Sequence, residues 1–141
     1  MNSSLRLNSK VCLIKKGLWS CEEILNFYEN KFNSGSKIVN DASGSTTIMT
    51  TFVDSILNGG EVTFIKLDIE GSELEALRGA SESIRKYHPL LAISVYHKPS
   101  DIVDIPTYIK NLVPEYELCL RSYHEENTEI VLYAIFPENK Q

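Results

Sequence analysis

The sequence predicts an α/β fold, and three observations carry that reading. Residues 62–69, VTFIKLDI, form a β-rich run of eight, and residues 90–96, LLAISVY, are almost wholly apolar, as expected of a strand covered on both faces. Between them, Leu74, Leu77, Ala80, Ile84 and Tyr87 recur at spacings of three and four, which predicts a helix over about 72–87. Beyond residue 96 a second helical pattern and two more strand-like runs complete the order strand, helix, strand, helix, strand, strand. The first helix joins its flanking strands as a βαβ unit, so those strands should be parallel, in a three-layer arrangement that ends in a hairpin.

The elements follow in order. Residues 11–14 are a short apolar run ending at Lys15-Lys16-Gly17, a strand entering a loop. Residues 24–28, ILNFY, are ambiguous: Ser20 and Glu23 could cap a helix, but the run is short and aromatic. Residues 33–45 read as loops around a short strand at Ile38-Val39, and 46–51 is β-branched and extended. Thr51 with Asp54 looks like the capping box of a short helix stopped by Asn58-Gly59-Gly60. Gly71 breaks the first long strand, and Ser72-x-x-Glu75 is a second capping box. Gly79, inside the predicted helix, costs about 1 kcal/mol against Ala, and close approach of the helix to the sheet is the simplest compensation. Pro89 ends that helix. Pro106 sits in the first turn of the next one, whose apolar face is Ile105, Tyr108, Ile109 and Leu112, and Pro114 ends it. Strands near 116–123 and 129–136 are separated by five polar residues, which suits an antiparallel hairpin.

A chain of 141 residues is enough for one domain, divided by texture into a loop-rich part, 1–60, and a regular part, 61–136. Its net charge of −5 excludes the basic face that a backbone-reading nucleic-acid binder needs. No apolar stretch is long enough to span a bilayer, and the amino terminus has no basic start with a long apolar run, so neither a membrane segment nor a signal peptide is expected. Cys12, Cys21 and Cys119 are odd in number and widely spaced, which fits neither a zinc site nor a disulfide framework. They are expected to be reduced thiols, buried or half-buried, in a reducing compartment such as the cytoplasm.

In an open parallel sheet, ligands bind beyond the carboxyl ends of the strands. One such end is Asp68-Ile69-Glu70-Gly71 and the other is Tyr96-His97. If the two strands are neighbours, Asp68 and His97 converge on one edge, with Glu70 and Glu73 close by. An acid there is expensive unless a helix terminus, a metal ion or a cationic ligand pairs with it. The structural alternative for Asp68 is a carboxylate satisfied by backbone N–H groups, and for Glu70 a favourable interaction with the helix dipole. Glu73 is expected to serve only the first turn of its helix, and His88 and His124 to be surface residues.

At these residues the chain resembles the FkbM family of S-adenosylmethionine-dependent methyltransferases. The resemblance is carried by FIKLDIEGSELEALRGA at 64–80, PLLAISVYHKPSDIVDIP at 89–106, YELCLRSYH at 116–124 and EIVLYA at 129–134. It covers about half of the chain. IKLDIEGSE is its most specific run, whereas VCLIKKGLW at 11–19 fits more weakly. The resemblance implies a partial class I methyltransferase (Rossmann-like) fold, a mostly parallel three-layer sheet with strand order 3-2-1-4-5-7-6. Residues 11–14 would be the third strand, 62–69 the fourth and 90–96 the fifth, with the first two strands missing and a strand favoured at 24–28. The glycine-rich cofactor loop and the acid that holds the ribose would be missing with those strands. It further implies S-adenosyl-L-methionine as cofactor, Leu18 and Trp19 near its adenine, and Asp68 near its sulfonium and the acceptor. In related metal-dependent O-methyltransferases, acids after the fourth and fifth strands bind a divalent ion. Asp68 and His97 would be the metal candidates, and Asp68, Glu70 and His97 the catalytic ones.

The expected function is O-methylation of a hydroxyl on a small molecule or sugar. A non-catalytic interaction module that keeps the fold without the cofactor loop is the second reading, and a metal-dependent hydrolase using Asp68, Glu70 and His97 a weaker third. The unpaired edge of the strand at 62–69 should invite self-association or a complementing chain.

Overall fold

The computed structural model describes residues 11–28, 37–39, 46–123 and 129–139. His124 and most of the loop region at 33–45 lie outside them. The chain builds two four-stranded sheets. The first has the order β1-β4-β2-β3, from β1 (Gly17–Leu18), β2 (Ile24–Tyr28), β3 (Lys37–Val39) and β4 (Thr46–Thr51). A short helix, α1 (Val53–Leu57), leads to the second part: β5 (Phe64–Leu67), α2 (Glu73–Arg78), α3 (Ser81–Tyr87), β6 (Leu90–Ser94), α4 (Asp101–Leu112), β7 (Glu117–Ser122) and β8 (Ile130–Ile135). The second sheet has the order β5-β6-β8-β7.

β5 and β6 are parallel, with Phe64 opposite Leu90 and Leu67 opposite Ile93, as a βαβ unit requires. The expectation of a mostly parallel sheet is corrected. Among the described residues only β1–β4 and β5–β6 are parallel pairs, while β2–β3, β2–β4, β6–β8 and β7–β8 are antiparallel. The physical reason is local. Hairpins and short returns can only make antiparallel neighbours, and the second sheet holds one crossover of helical length between neighbouring strands.

The three-layer expectation is corrected as well. Ile65, Leu67, Leu91, Ile93, Leu132 and Ala134 form one face of the second sheet. They pack against Ala76, Leu77 and Ala80, against Ile84, and against Ile105 and Ile109 of α4. The opposite face presents Phe64, Lys66, Ser94, Tyr96 and Tyr133 to an open groove of about 350 Å³. Among the described residues the helices therefore cover one face only. No helix among them is long and apolar enough to cross a membrane.

Other sequence expectations change in detail. Residues 11–14 form no strand: only Cys12 makes an isolated bridge, and Val11, Leu13 and Ile14 are exposed, having no strand to lie between. Residues 24–28 are a strand, which resolves that ambiguity. The three cysteines are free but exposed, not buried, because each lies on an edge or in a connection outside the core. Asp54 does not cap its own helix. Its carboxylate accepts the N–H groups of Glu82 (3.0 Å) and Ser83 (2.9 Å) at the start of α3. Ser72 makes no side-chain cap either. Pro106 is the sixth residue of α4 and not in its first turn, because the helix already starts at Asp101. The carbonyl that its missing N–H leaves free belongs to the exposed Ile102.

The helix expected over 72–87 breaks at Gly79-Ala80 into α2 and α3. The main chain of the first sheet's edge comes so close there that a Cβ on Gly79 would lie 2.4 Å from the Trp19 carbonyl oxygen and 2.7 Å from Phe52 Cβ. The close approach expected of Gly79 is real, and it is to the chain around Trp19 and Phe52. The Gly79 carbonyl also accepts the Asp54 N–H at 2.9 Å. Gly79→Ala should therefore overpack this junction and lose roughly 1–3 kcal/mol of stability, read as a lower urea midpoint.

Candidate functional site

The carboxyl ends of β5 and β6 lie side by side, so the residues just beyond them meet. After Leu67 the chain turns sharply through Asp68-Ile69-Glu70-Gly71 into α2. Glu70 takes the left-handed conformation with φ 56°, which costs a non-glycine residue about 1–2 kcal/mol. Gly71 follows with φ 91°, and a Cβ there would stand 3.0 Å from Lys98 Cε and 3.7 Å from His97 Cβ. Glycine at 71 thus permits both the turn and the packing of the segment after β6 against it. That segment is held in turn by α4, where the buried Asp101 carboxylate accepts the Lys98 N–H at 3.0 Å.

His97 is the centre of the arrangement, with its side chain only 8% exposed. Nε2 lies 3.6 Å from Asp68 Oδ1 and 3.8 Å from Glu70 Oε2, and Nδ1 lies 2.8 Å from Glu73 Oε1. The last contact is as short as a hydrogen bond, yet neither ring nitrogen has an aligned hydrogen-bond partner among the described residues. The 2.8 Å approach lies off the ring's N–H axis. Tyr96 stacks obliquely on His97, with ring centroids 4.2 Å apart, and donates its hydroxyl to Asp68 Oδ1 at 3.1 Å. Partial burial, and then the Asp68 charge and hydrogen bond, push the Tyr96 hydroxyl above the ordinary phenol range.

The structure therefore brings Asp68, Glu70 and His97 onto one rim and adds Glu73, whose expected confinement to the first turn of its helix is corrected. Glu73 is fully buried, and its Oε1 accepts the Ile69 N–H at 2.8 Å. Its Oε2 is buried without a hydrogen-bond partner among the described residues. A signal for this was present in the sequence. Glu73, Leu77, Ala80 and Ile84 fall at spacings of four, three and four, so Glu73 continues the apolar stripe that predicted the helix. An acid on that stripe has to be buried.

Leu18 and Trp19 stand elsewhere. Leu18 packs at the margin of the core, and Trp19 donates its N–H to the Thr51 carbonyl at 2.9 Å. Both belong to the chain that lies against Gly79, at the end of α2 opposite Glu73. His88, expected at the surface, is half-buried and stacks on Phe136 with ring centroids 3.9 Å apart. The groove on the open sheet face runs to Asp68 and Tyr96, so the acidic rim closes one end of it.

Glu73→Ala should leave the Ile69 N–H and the imidazole without their buried partner and cost about 1–3 kcal/mol. Glu73→Gln keeps an oxygen for Ile69 and should cost less. Urea unfolding followed by the fluorescence of Trp19, the sole tryptophan, would measure the difference.

The model for the methyltransferase FkbM domain matches residues 16–118. A crystal structure of methyltransferase FkbM from Methylobacillus flagellatus KT superposes with a TM-score of 0.59 at 34% identity, covering 81% of this chain and 27% of that one. This chain thus spans about a quarter of the length of that protein. No curated protein sequence matches.

Proposed function

The chain belongs to the methyltransferase FkbM family, and from that premise we propose that it carries part of an S-adenosylmethionine-dependent active site that methylates a hydroxyl on a small molecule or sugar. The observation that carries this reading is the acidic rim at the ends of β5 and β6, where His97 Nε2 lies within 4 Å of both the Asp68 and Glu70 carboxylates. The order β5-β6-β8-β7 supports it, being the order of the second half of a class I methyltransferase sheet. The exposed free thiols suit a reducing, cytoplasmic setting.

S-adenosylmethionine supplies a methyl group on a positively charged sulfur. The residues of this chain have three tasks toward it. Asp68 and Glu70, both partly exposed, set a negative potential that attracts the sulfonium. The open groove ending at Asp68 receives the acceptor and aligns its hydroxyl for in-line displacement. As the methyl carbon's bond to the acceptor oxygen forms and its bond to sulfur breaks, leaving a neutral thioether, the hydroxyl proton would pass to the rim, where Glu70 is the outer group and His97 the more deeply buried one. Leu18 and Trp19, at the far end of α2, take the adenine in this reading, so the cofactor lies along that helix.

Calorimetry with S-adenosylmethionine should give saturable heat, accompanied by a change in Trp19 fluorescence. Asp68→Asn should weaken binding about tenfold or more, the size of one charge-assisted contact of roughly 1.5 kcal/mol. Glu70→Gln, which removes the second charge of the rim, should weaken cofactor binding less than Asp68→Asn does and should slow methyl transfer. Absence of heat would favour the interaction-module reading instead.

We also propose that the free edge of β5 is completed by another chain. Among the described residues β5 pairs with β6 alone, and Phe64 on it is 51% exposed. Light scattering after size exclusion should show association that Phe64→Lys reduces, and a monomer across concentrations would count against it.

A further inference from the structure

We propose that Asp68, Glu73 and His97 hold a divalent cation. One ligand atom from each, two carboxylate oxygens and an imidazole nitrogen, lie within 4.8 Å of one another. The separations decide between a hydrogen-bonded cluster and a coordination site. Two ligands each about 2.1 Å from one ion stand about 3.0–3.4 Å apart. The 3.6 Å between His97 Nε2 and Asp68 Oδ1 is too long for a hydrogen bond and only a few tenths of an ångström wider than that spacing. The set as a whole lies within 4.8 Å, so the side chains would draw together around an ion.

A second observation is independent of this spacing. His97 and Glu73 are 8% and 1% exposed, and Glu73 Oε2 and both imidazole nitrogens have no hydrogen-bond partner among the described residues. Leaving such groups buried and unsatisfied costs about 1–3 kcal/mol each. An ion reached by His97 Nε2 and Glu73 Oε2 would supply two of these atoms, while Nδ1, on the other side of the ring, stays against Glu73 Oε1.

Charge leads to the same place. With a neutral imidazole, Asp68, Glu70 and Glu73 bring three negative charges to one ring, so a 2+ ion reduces the total from −3 to −1. The rim keeps enough charge to attract a sulfonium. Two carboxylates with one imidazole suit a first-row ion such as Mn²⁺ better than Ca²⁺ or Mg²⁺, which take oxygen ligands. The catalytic consequence rests on the methyltransferase reading, whereas the binding does not: the ion would polarise the acceptor hydroxyl at the end of the groove and leave Glu70 to take its proton.

The test uses the whole chain, stripped with a chelator and titrated with Mn²⁺ while free Mn²⁺ is followed by its electron paramagnetic resonance. Mn²⁺ avoids the three exposed thiols that would compete for zinc. One saturable site per chain is expected, weakened at least tenfold by Asp68→Asn and by His97→Asn. Asp68 is 45% exposed, so its variant should remain folded, which circular dichroism would verify. Paramagnetic broadening should fall first on the His97 imidazole resonances. No saturation at millimolar Mn²⁺, or equal affinity in both variants, would overturn the proposal. Heat with S-adenosylmethionine but none with Mn²⁺ would remove the ion and leave the methyltransferase reading standing. The converse would remove that reading and keep the ion site.

Discussion

The buried carboxylate of Glu73 is the contact on which the rest of the site depends. It links both halves of the rim from beneath, accepting the Ile69 N–H from the turn after β5 and meeting the His97 ring from the segment after β6. Without it the two strand ends would still be neighbours, but the ring would be held relative to Asp68 only from its outer side, by the Tyr96 ring that stacks on it and bonds to Asp68. Burial of an acid is expensive in a protein interior. The expense is offset in part by the backbone donor to Oε1, while Oε2 has no hydrogen-bond partner among the described residues.

The supporting chain is arranged around that pair. Gly71 gives the turn its left-handed bend and leaves room for Lys98, while Asp101 ties the Lys98 backbone to the start of α4. Two helices thus brace the two segments that carry the carboxylates and the imidazole. Glu70 is held in a conformation unfavourable for its type, beside the reactive-looking ring. Strain of that kind is retained where the surrounding structure over-determines it, and it clusters at working sites.

The second sheet is lopsided in a useful way. Its helical face is packed with aliphatic side chains, whereas the other carries Phe64, Lys66, Tyr96 and Tyr133 along a groove. The packed face supplies rigidity and the open face supplies access, and Asp68 stands where the groove meets the rim. The first sheet braces this unit through the tight contact at Gly79, which also explains why a helix with continuous apolar periodicity is interrupted.

The sequence by itself determined the elements that depend on near neighbours. The strands at β5 and β6, their parallel pairing through a helical crossover, the apolar face of α4, the closing hairpin and the nearness of Asp68 to His97 were all legible, because periodicity and connection length are local properties. The family resemblance rested on the same segment. What only tertiary structure decided involves partners far along the chain. Asp54 caps α3 from 28 residues away, Gly79 breaks a helix because Trp19 lies on it, and Glu73, whose place on the apolar stripe was legible, acquires His97 as its buried neighbour. Capping and periodicity rules judge a residue by its own few neighbours, and the environment that settles a charge or a glycine is assembled only when distant segments pack together.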